Sequence, residues 1–379
     1  MSSGRWPQWV TAVQWESQVS RWQKVGRRAG LLGAAAGVIA GGAAIGLAVE
    51  RYAVGRSFRR ADTARDEPFG RLRGEPMYVI ADDGVDLYVE LNGPADADLT
   101  VVFVHGYALN QDAWHYQRRD LTDLGRLVFF DQRGHGRSMR GRPERSTIDQ
   151  LGEDLYRVID AVAGDGSPVV LVGHSMGGMT VLALADLYPE LFGDRIVGVA
   201  LLATSPGRLA EVTLGAPAYT GRILHKLAPG LFGALVKQAE LVDRSRKAGS
   251  DLSYVLTKRL AFASDVPPSL VRFAADLLAS TPIDVVADFF PAFDAHDKMS
   301  ALPVLQRVET LVMVGASDLL TPEEHSGDIV RAVPGAELVI IPDCGHLIIC
   351  EYPDVVNHHL RELASRARRL AGLPQEESA

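Results

Sequence analysis

The sequence predicts an α/β protein built on a mostly parallel eight-stranded sheet, with helices on both faces and a helical insertion after the sixth strand. Three observations carry this. Short apolar runs of buried-strand type alternate with stretches of helical period from about residue 75 onward. The strand signals then vanish between Ala203 and about Met299 and return afterwards. A serine bracketed by glycines, in "VLVGHSMGGMT" (170–180), sits where one strand must turn into a helix.

Taken in order, Met77–Ile80 and Val85–Leu91 read as an opening hairpin around Asp83-Gly84. "TVVFV" (100–104) and "RLVFF" (126–130) are buried-strand runs, with a helix expected between them over Ala113–Leu124. From Ile148 to Val162, Leu151, Leu155, Val158, Ile159 and Val162 share one helical face. "PVVLV" (168–172) and "IVGVALLA" (196–203) are strands flanking a helix that ends near Tyr188-Pro189. "TLVMVG" (310–315) and "ELVII" (337–341) complete the sheet, and a charged helix closes the chain. In the insertion, Leu270, Phe273, Ala274 and Leu277 follow helical spacing. Six of the twelve phenylalanines lie between Phe232 and Phe293, so the insertion has apolar material for a core of its own. Its place at the carboxyl ends of the strands is where open α/β sheets carry ligand sites.

The 379 residues are 47% hydrophobic and 23% charged, a globular composition. A net charge of -8 speaks against nucleic acid, which needs a concentrated basic face. Two cysteines, Cys344 and Cys350, are too few for a disulfide framework. They are expected as reduced, partly buried thiols, with a bridge as the alternative outside the cytoplasm.

The N-terminus differs in kind. Residues 29–49, "AGLLGAAAGVIAGGAAIGLAV", carry no charge and match the length of a bilayer-spanning helix. Arginines and a lysine flank the stretch, and four of the five tryptophans lie just upstream, suiting a headgroup-level belt. Gly33, Gly37 and Gly41 fall at the spacing that lets helices approach closely in a membrane, which suits self-association. A single-pass membrane anchor is therefore expected. Lys and Arg are nearly balanced across it, so charge leaves its orientation open.

The chemistry centres on Ser175. A tight strand-to-helix turn strains the central residue, requires small neighbours such as Gly173 and Gly177, and lifts the serine Oγ to a helix N-terminus. This is the G-x-S-x-G nucleophile elbow. Serine needs a base, and the base an orienting acid. "VGASDLLTP" puts Asp318 just past one strand and "PDCGHLIICEYP" puts His346 after the next, giving the chain order Ser, Asp, His. An oxyanion needs backbone donors. Met176, next to the serine, offers one amide, and Tyr107 in "HGYALN" is expected to offer the other.

With these motifs the chain resembles the α/β-hydrolase-fold serine hydrolases, of the esterase, lipase and cofactor-free perhydrolase group. The resemblance covers about residues 75–371 and is carried by "HGYALN", "FDQRGHGRS", "GHSMGG", "GASDLLTP" and "GHLIICEYP". It implies that Asp131, Arg133 and His135 are architectural, that His105 and His174 orient rather than act as bases, and that the insertion is a cap. The expected organisation is a Trp/Arg-rich segment (1–28), a transmembrane helix (29–49), a solvated linker (50–74), core (75–203), cap (204–299), core (300–371) and tail (372–379). The expected activity is cleavage of a lipophilic carboxylic ester or lipid, with no metal or cofactor. C–C bond hydrolysis, perhydrolysis on the same triad, and a non-catalytic receptor-like member stand as alternatives.

Overall fold

The computed structural model describes residues 62–164, 166–209 and 251–374. The expected segments 1–28 and 29–49, the start of the linker, residues 210–250 of the insertion and the end of the tail lie outside these. Among the described residues no helix is long and apolar enough to cross a membrane.

Eight strands form one sheet in the order β1-β2-β4-β3-β5-β6-β7-β8. They are β1 (Glu75–Ile80), β2 (Asp86–Asn92), β3 (Thr100–Val104), β4 (Arg126–Phe130), β5 (Val169–His174), β6 (Ile196–Leu202), β7 (Glu309–Gly315) and β8 (Glu337–Ile341). β1 and β2 pair antiparallel, as do β2 and β4, and every other pairing is parallel. The central strands read as continuous apolar runs because both faces are covered: β3, β5 and β6 are buried at every position.

Helices α1 (His115–Asp120), α2 (Ile148–Val162) and α3 (Met176–Leu187) come from the first part of the core. α2 and α3 cover one face, where Leu155, Ile159, Val181 and Leu184 pack with Val102, Val104, Leu171 and Val199. Thr147 caps α2, accepting from the Gln150 amide at 3.1 Å, which fixes the helix start where the sequence expects it. On the other face Trp114 meets Phe103 at 5.2 Å, and the Arg118 guanidinium lies 4.2 Å over the ring of Phe129. The helix expected over Ala113–Leu124 is divided. Only α1 is α-helical, between 3-10 turns at Gln111–Trp114 and Thr122–Leu124, because Asn110 caps a tight first turn and buried side chains drive the packing.

Between β6 and β7 the described chain is helical: α4 (Asp251–Ala261), α5 (Pro268–Ser280) and α6 (Ile283–Ala295). Leu270, Phe273, Ala274 and Leu277 are all buried on α5. α7 (Glu323–Ala332), α8 (Ile348–Glu351) and α9 (Pro353–Leu370) complete the fold.

The structure corrects the expected linker. Residues 62–74 are not a solvated tether but a strap on the domain. Phe69 stacks on Phe273 with ring centroids 4.7 Å apart and nearly parallel. Glu67 pairs with His115 at 2.8 Å and Arg119 at 2.9 Å, Asp62 accepts from the Ser269 hydroxyl at 2.7 Å, and Arg73 pairs with Asp112 at 2.9 Å. The charged composition that suggests solvation is used here for ion pairs around one aromatic anchor.

Candidate active site

The elbow follows from local sterics. Ser175 has φ 53° and ψ -119°, a strained conformation held because β5 must enter α3 without an intervening loop. Its amide donates to the Leu202 carbonyl at 2.9 Å, and its carbonyl accepts from the Thr204 hydroxyl at 2.7 Å. The turn is tight enough that a Cβ on Gly177 would lie 2.0 Å from the Val104 carbonyl oxygen. Gly177 is thus the point where α3 rests directly on the end of β3, and Ser175 faces the loop that leaves that strand.

Around the hydroxyl the expected residues come together. His346 Nε2 lies 2.9 Å from Ser175 Oγ, and His346 Nδ1 lies 2.8 Å from Asp318 Oδ2. They arrive from β5, from the loop after β7 and from the loop after β8, far apart in sequence. Asp318 has a fully buried side chain. Burial alone would raise its carboxyl, but the adjacent His346 and the Leu320 and Thr321 amides hold it below the usual carboxylate value. Those amides donate to Oδ1 at 2.8 and 3.0 Å. The Thr321 hydroxyl donates to Oδ2 at 2.8 Å. Thr321 is a residue that sequence reasoning missed. It lies inside "SDLLTP", but nothing in that string shows that its side chain folds back on the acid.

The remaining histidines do different work. His174 donates from Nε2 to the His346 carbonyl at 3.0 Å, so it holds the backbone of the histidine loop. His105 Nε2 accepts from the Gln132 amide at 2.9 Å, and its Nδ1 donates to the Gly106 carbonyl at 2.8 Å. His135 Nε2 accepts from the Ala108 amide at 3.2 Å, steadying the loop that carries Tyr107. All three are fully buried, which drives them down to about 4 for His105 and about 3 for His135 and His174. They are neutral hydrogen-bonding struts. Asp131 accepts from the Gln111 and Arg137 amides at 2.8 and 2.9 Å, and Arg133 is ion-paired with Asp154 at 2.6 Å and Asp83 at 2.9 Å. These groups brace the core away from the serine, as expected.

Met176 is the first residue of α3, directly after the serine. Tyr107 follows Gly106, where a Cβ would lie 3.2 Å from that of Ser175, so the two backbones that would supply oxyanion donors converge on one point. The Tyr107 hydroxyl donates to the Val286 carbonyl of α6, and its ring meets Phe293 edge-on at 4.8 Å. Ala108 packs with Ile283 and Val286, and Met176 with Val285 and Phe289. α6 therefore roofs the serine with apolar side chains. Cys344 and Cys350 are free and wholly buried rather than partly so, and burial pushes the Cys350 thiol up to about 12.

Comparison with known proteins agrees with this fold. Residues 100–353 match the model of the alpha/beta hydrolase fold family, and the chain belongs to that family. A bifunctional esterase/perhydrolase of Acinetobacter calcoaceticus is 34% identical over 285 residues, covering 75% of this chain and 97% of that protein. A monoacylglycerol lipase of Mycolicibacterium smegmatis is 32% identical over 240 residues, covering 62% of this chain and 79% of that one. The solved structure of a thermophilic esterase from Thermogutta terrifontis superposes with a TM-score of 0.59 at 25% identity, over 77% of this chain and 98% of the other.

Proposed function

We propose that the protein is a serine hydrolase that cleaves carboxylic esters through an acyl-enzyme. The observation that carries the reading is the continuous hydrogen-bonded line from Asp318 through His346 to Ser175 Oγ, with contacts of 2.8 and 2.9 Å. Ser175 Oγ attacks the ester carbonyl while His346 Nε2 takes its proton, and the Asp318 carboxylate stabilises the imidazolium that forms. The Tyr107 and Met176 amides bind the oxyanion, the latter aided by the positive end of α3. His346 then protonates the departing alkoxide, and water, deprotonated in its turn by His346, releases the acid.

The apolar underside of α6 supports a lipophilic acyl or alcohol group, and we read residues 204–299 as the cap over it. Perhydrolysis on the same triad is the second reading, favoured by the relative from Acinetobacter named for both activities. We further propose that residues 29–49 anchor the enzyme as a single-pass, glycine-spaced helix able to self-associate, which suits a substrate drawn from lipid. Hydrolysis of a chain-length series of p-nitrophenyl esters by the wild type, Ser175→Ala and His346→Ala tests the reading. Wild-type turnover should fall on the order of a thousandfold or more in both variants. Equal turnover in Ser175→Ala would remove the assignment, and an inactive wild type would favour a receptor-like role.

A further inference from the structure

Outside the triad, one carboxylate touches the histidine loop on one side and the helical insertion on the other. Glu351 ends α8, the single turn that follows His346, and its side chain reaches back toward the loop just passed. Oε2 accepts from the Gly345 amide at 2.7 Å. Oε1 accepts from the Ala263 amide at 2.9 Å and the Ser264 amide at 2.5 Å, both just beyond the end of α4. The two segments also meet directly, since the Leu347 amide donates to the Ala261 carbonyl at 2.8 Å. A Cβ on Gly345 would lie 2.8 Å from that same carbonyl oxygen, so the loop is pressed against the insertion with no room for a side chain.

We infer that Glu351 is a positioning residue: its carboxylate clasps the His346 loop to the chain leaving α4 and so sets the approach of the imidazole to Ser175. The inference rests on the proposed triad. Glu351 forms no hydrogen bond to His346, Asp318 or Ser175 among the contacts of those residues, so it acts through the backbone on either side of the base. A carboxylate is the required group, because all three partners are N–H donors and an ionised carboxylate only accepts. An amide cannot replace it. Glutamine has one acceptor oxygen, and whichever way it turns, an NH2 group faces an N–H. The His346 carbonyl is held by His174, so losing the clasp loosens only the edge that meets the insertion, where the Leu347–Ala261 hydrogen bond is left to hold it alone. A displacement of the base by about 1 Å is enough to cost on the order of a hundredfold in rate.

The test compares full-length wild type, Glu351→Gln and Glu351→Ala by ester hydrolysis, thermal unfolding and labelling with a fluorophosphonate. Glu351→Gln should lose about tenfold in kcat with KM within about twofold, because the base rather than the pocket moves. Labelling should slow in parallel but still run to completion, which a partly unfolded population would not do. Glu351→Ala should lose more. A kcat within twofold of wild type in a folded Glu351→Gln, a change confined to KM, incomplete labelling, or failure of this near-isosteric variant to fold would each overturn the inference. An unlabelled, inactive wild type would instead overturn the triad on which it rests.

Discussion

Replacing Gly177 by alanine is the smallest change that tests whether the elbow depends on close backbone approach. The new Cβ would lie 2.0 Å from the Val104 oxygen, 2.6 Å from the Val104 carbonyl carbon and 2.9 Å from the His105 oxygen. Ordinary non-bonded contact is about 3.5 Å, so the helix must lift by more than about 1 Å. All three obstacles are main chain, at the end of β3 and the start of the Tyr107 loop, so no side chain can swing aside. Relief must come from separating α3 from β3, which separates Ser175 and Met176 from Tyr107. Overpacking of this kind costs about 1–3 kcal/mol of stability. A misplacement of that size should lower kcat/KM on the order of a hundredfold, equivalent to about 2.7 kcal/mol of transition-state stabilisation. Gly327→Ala is the matched control. It lies within α7 with only the flexible end of Arg331 within 3.1 Å, so it should gain up to about 1 kcal/mol without touching activity. Steady-state kinetics and urea unfolding read both effects. If Gly177→Ala keeps kcat/KM within threefold of wild type, the close-approach argument is wrong.

Acidification should destabilise the fold through its buried histidines. Their folded-state values lie below the unfolded value, so the unfolded chain takes the proton first. Their stabilising contribution is complete above about pH 6.5 and is lost as pH falls toward the folded values. His135→Asn should make the urea-derived stability fall less steeply between pH 6 and 5, by about 1 kcal/mol per pH unit, and an unchanged slope would refute this. Phe69→Ala should lower stability by about 2 kcal/mol through loss of the stack on Phe273, and a chain beginning at residue 62 should outlast one beginning at 75 in thermal unfolding. Full-length protein should stay with membranes through a carbonate wash, and release there would remove the proposed anchor.

Much of the sheet could be read from the sequence because buried parallel strands are apolar without interruption. β3, β4 and β8 begin and end where the apolar runs do, and α2 spans the stretch that its periodic face marks out. Ser175, Asp318 and His346 were legible because each follows a strand that local pattern identifies. α7 carries no such signal. "EEHSGDIVRA" has a glycine and a serine within ten residues, and the residues that reach the main core, Ile329, Val330 and Ala332, all fall in its last four positions. The strap at 62–74 reads as solvated because the charges that suit a free chain meet partners far away in sequence, with Phe69 the lone aromatic clue. Thr321 and Glu351 could not be read at all. Their roles lie in side chains folding back onto loops whose shape the tertiary structure sets.

The central claim is that Ser175 is an activated nucleophile, and covalent labelling tests it most directly. Intact full-length protein is treated with a fluorophosphonate, and the modified peptide is located by mass spectrometry. The account predicts a single phosphonyl adduct on Ser175, absent in Ser175→Ala and formed far more slowly in His346→Ala, because the attack needs the proton taken by Nε2. No adduct on folded wild-type protein, or an adduct on another residue that persists in Ser175→Ala, would contradict it.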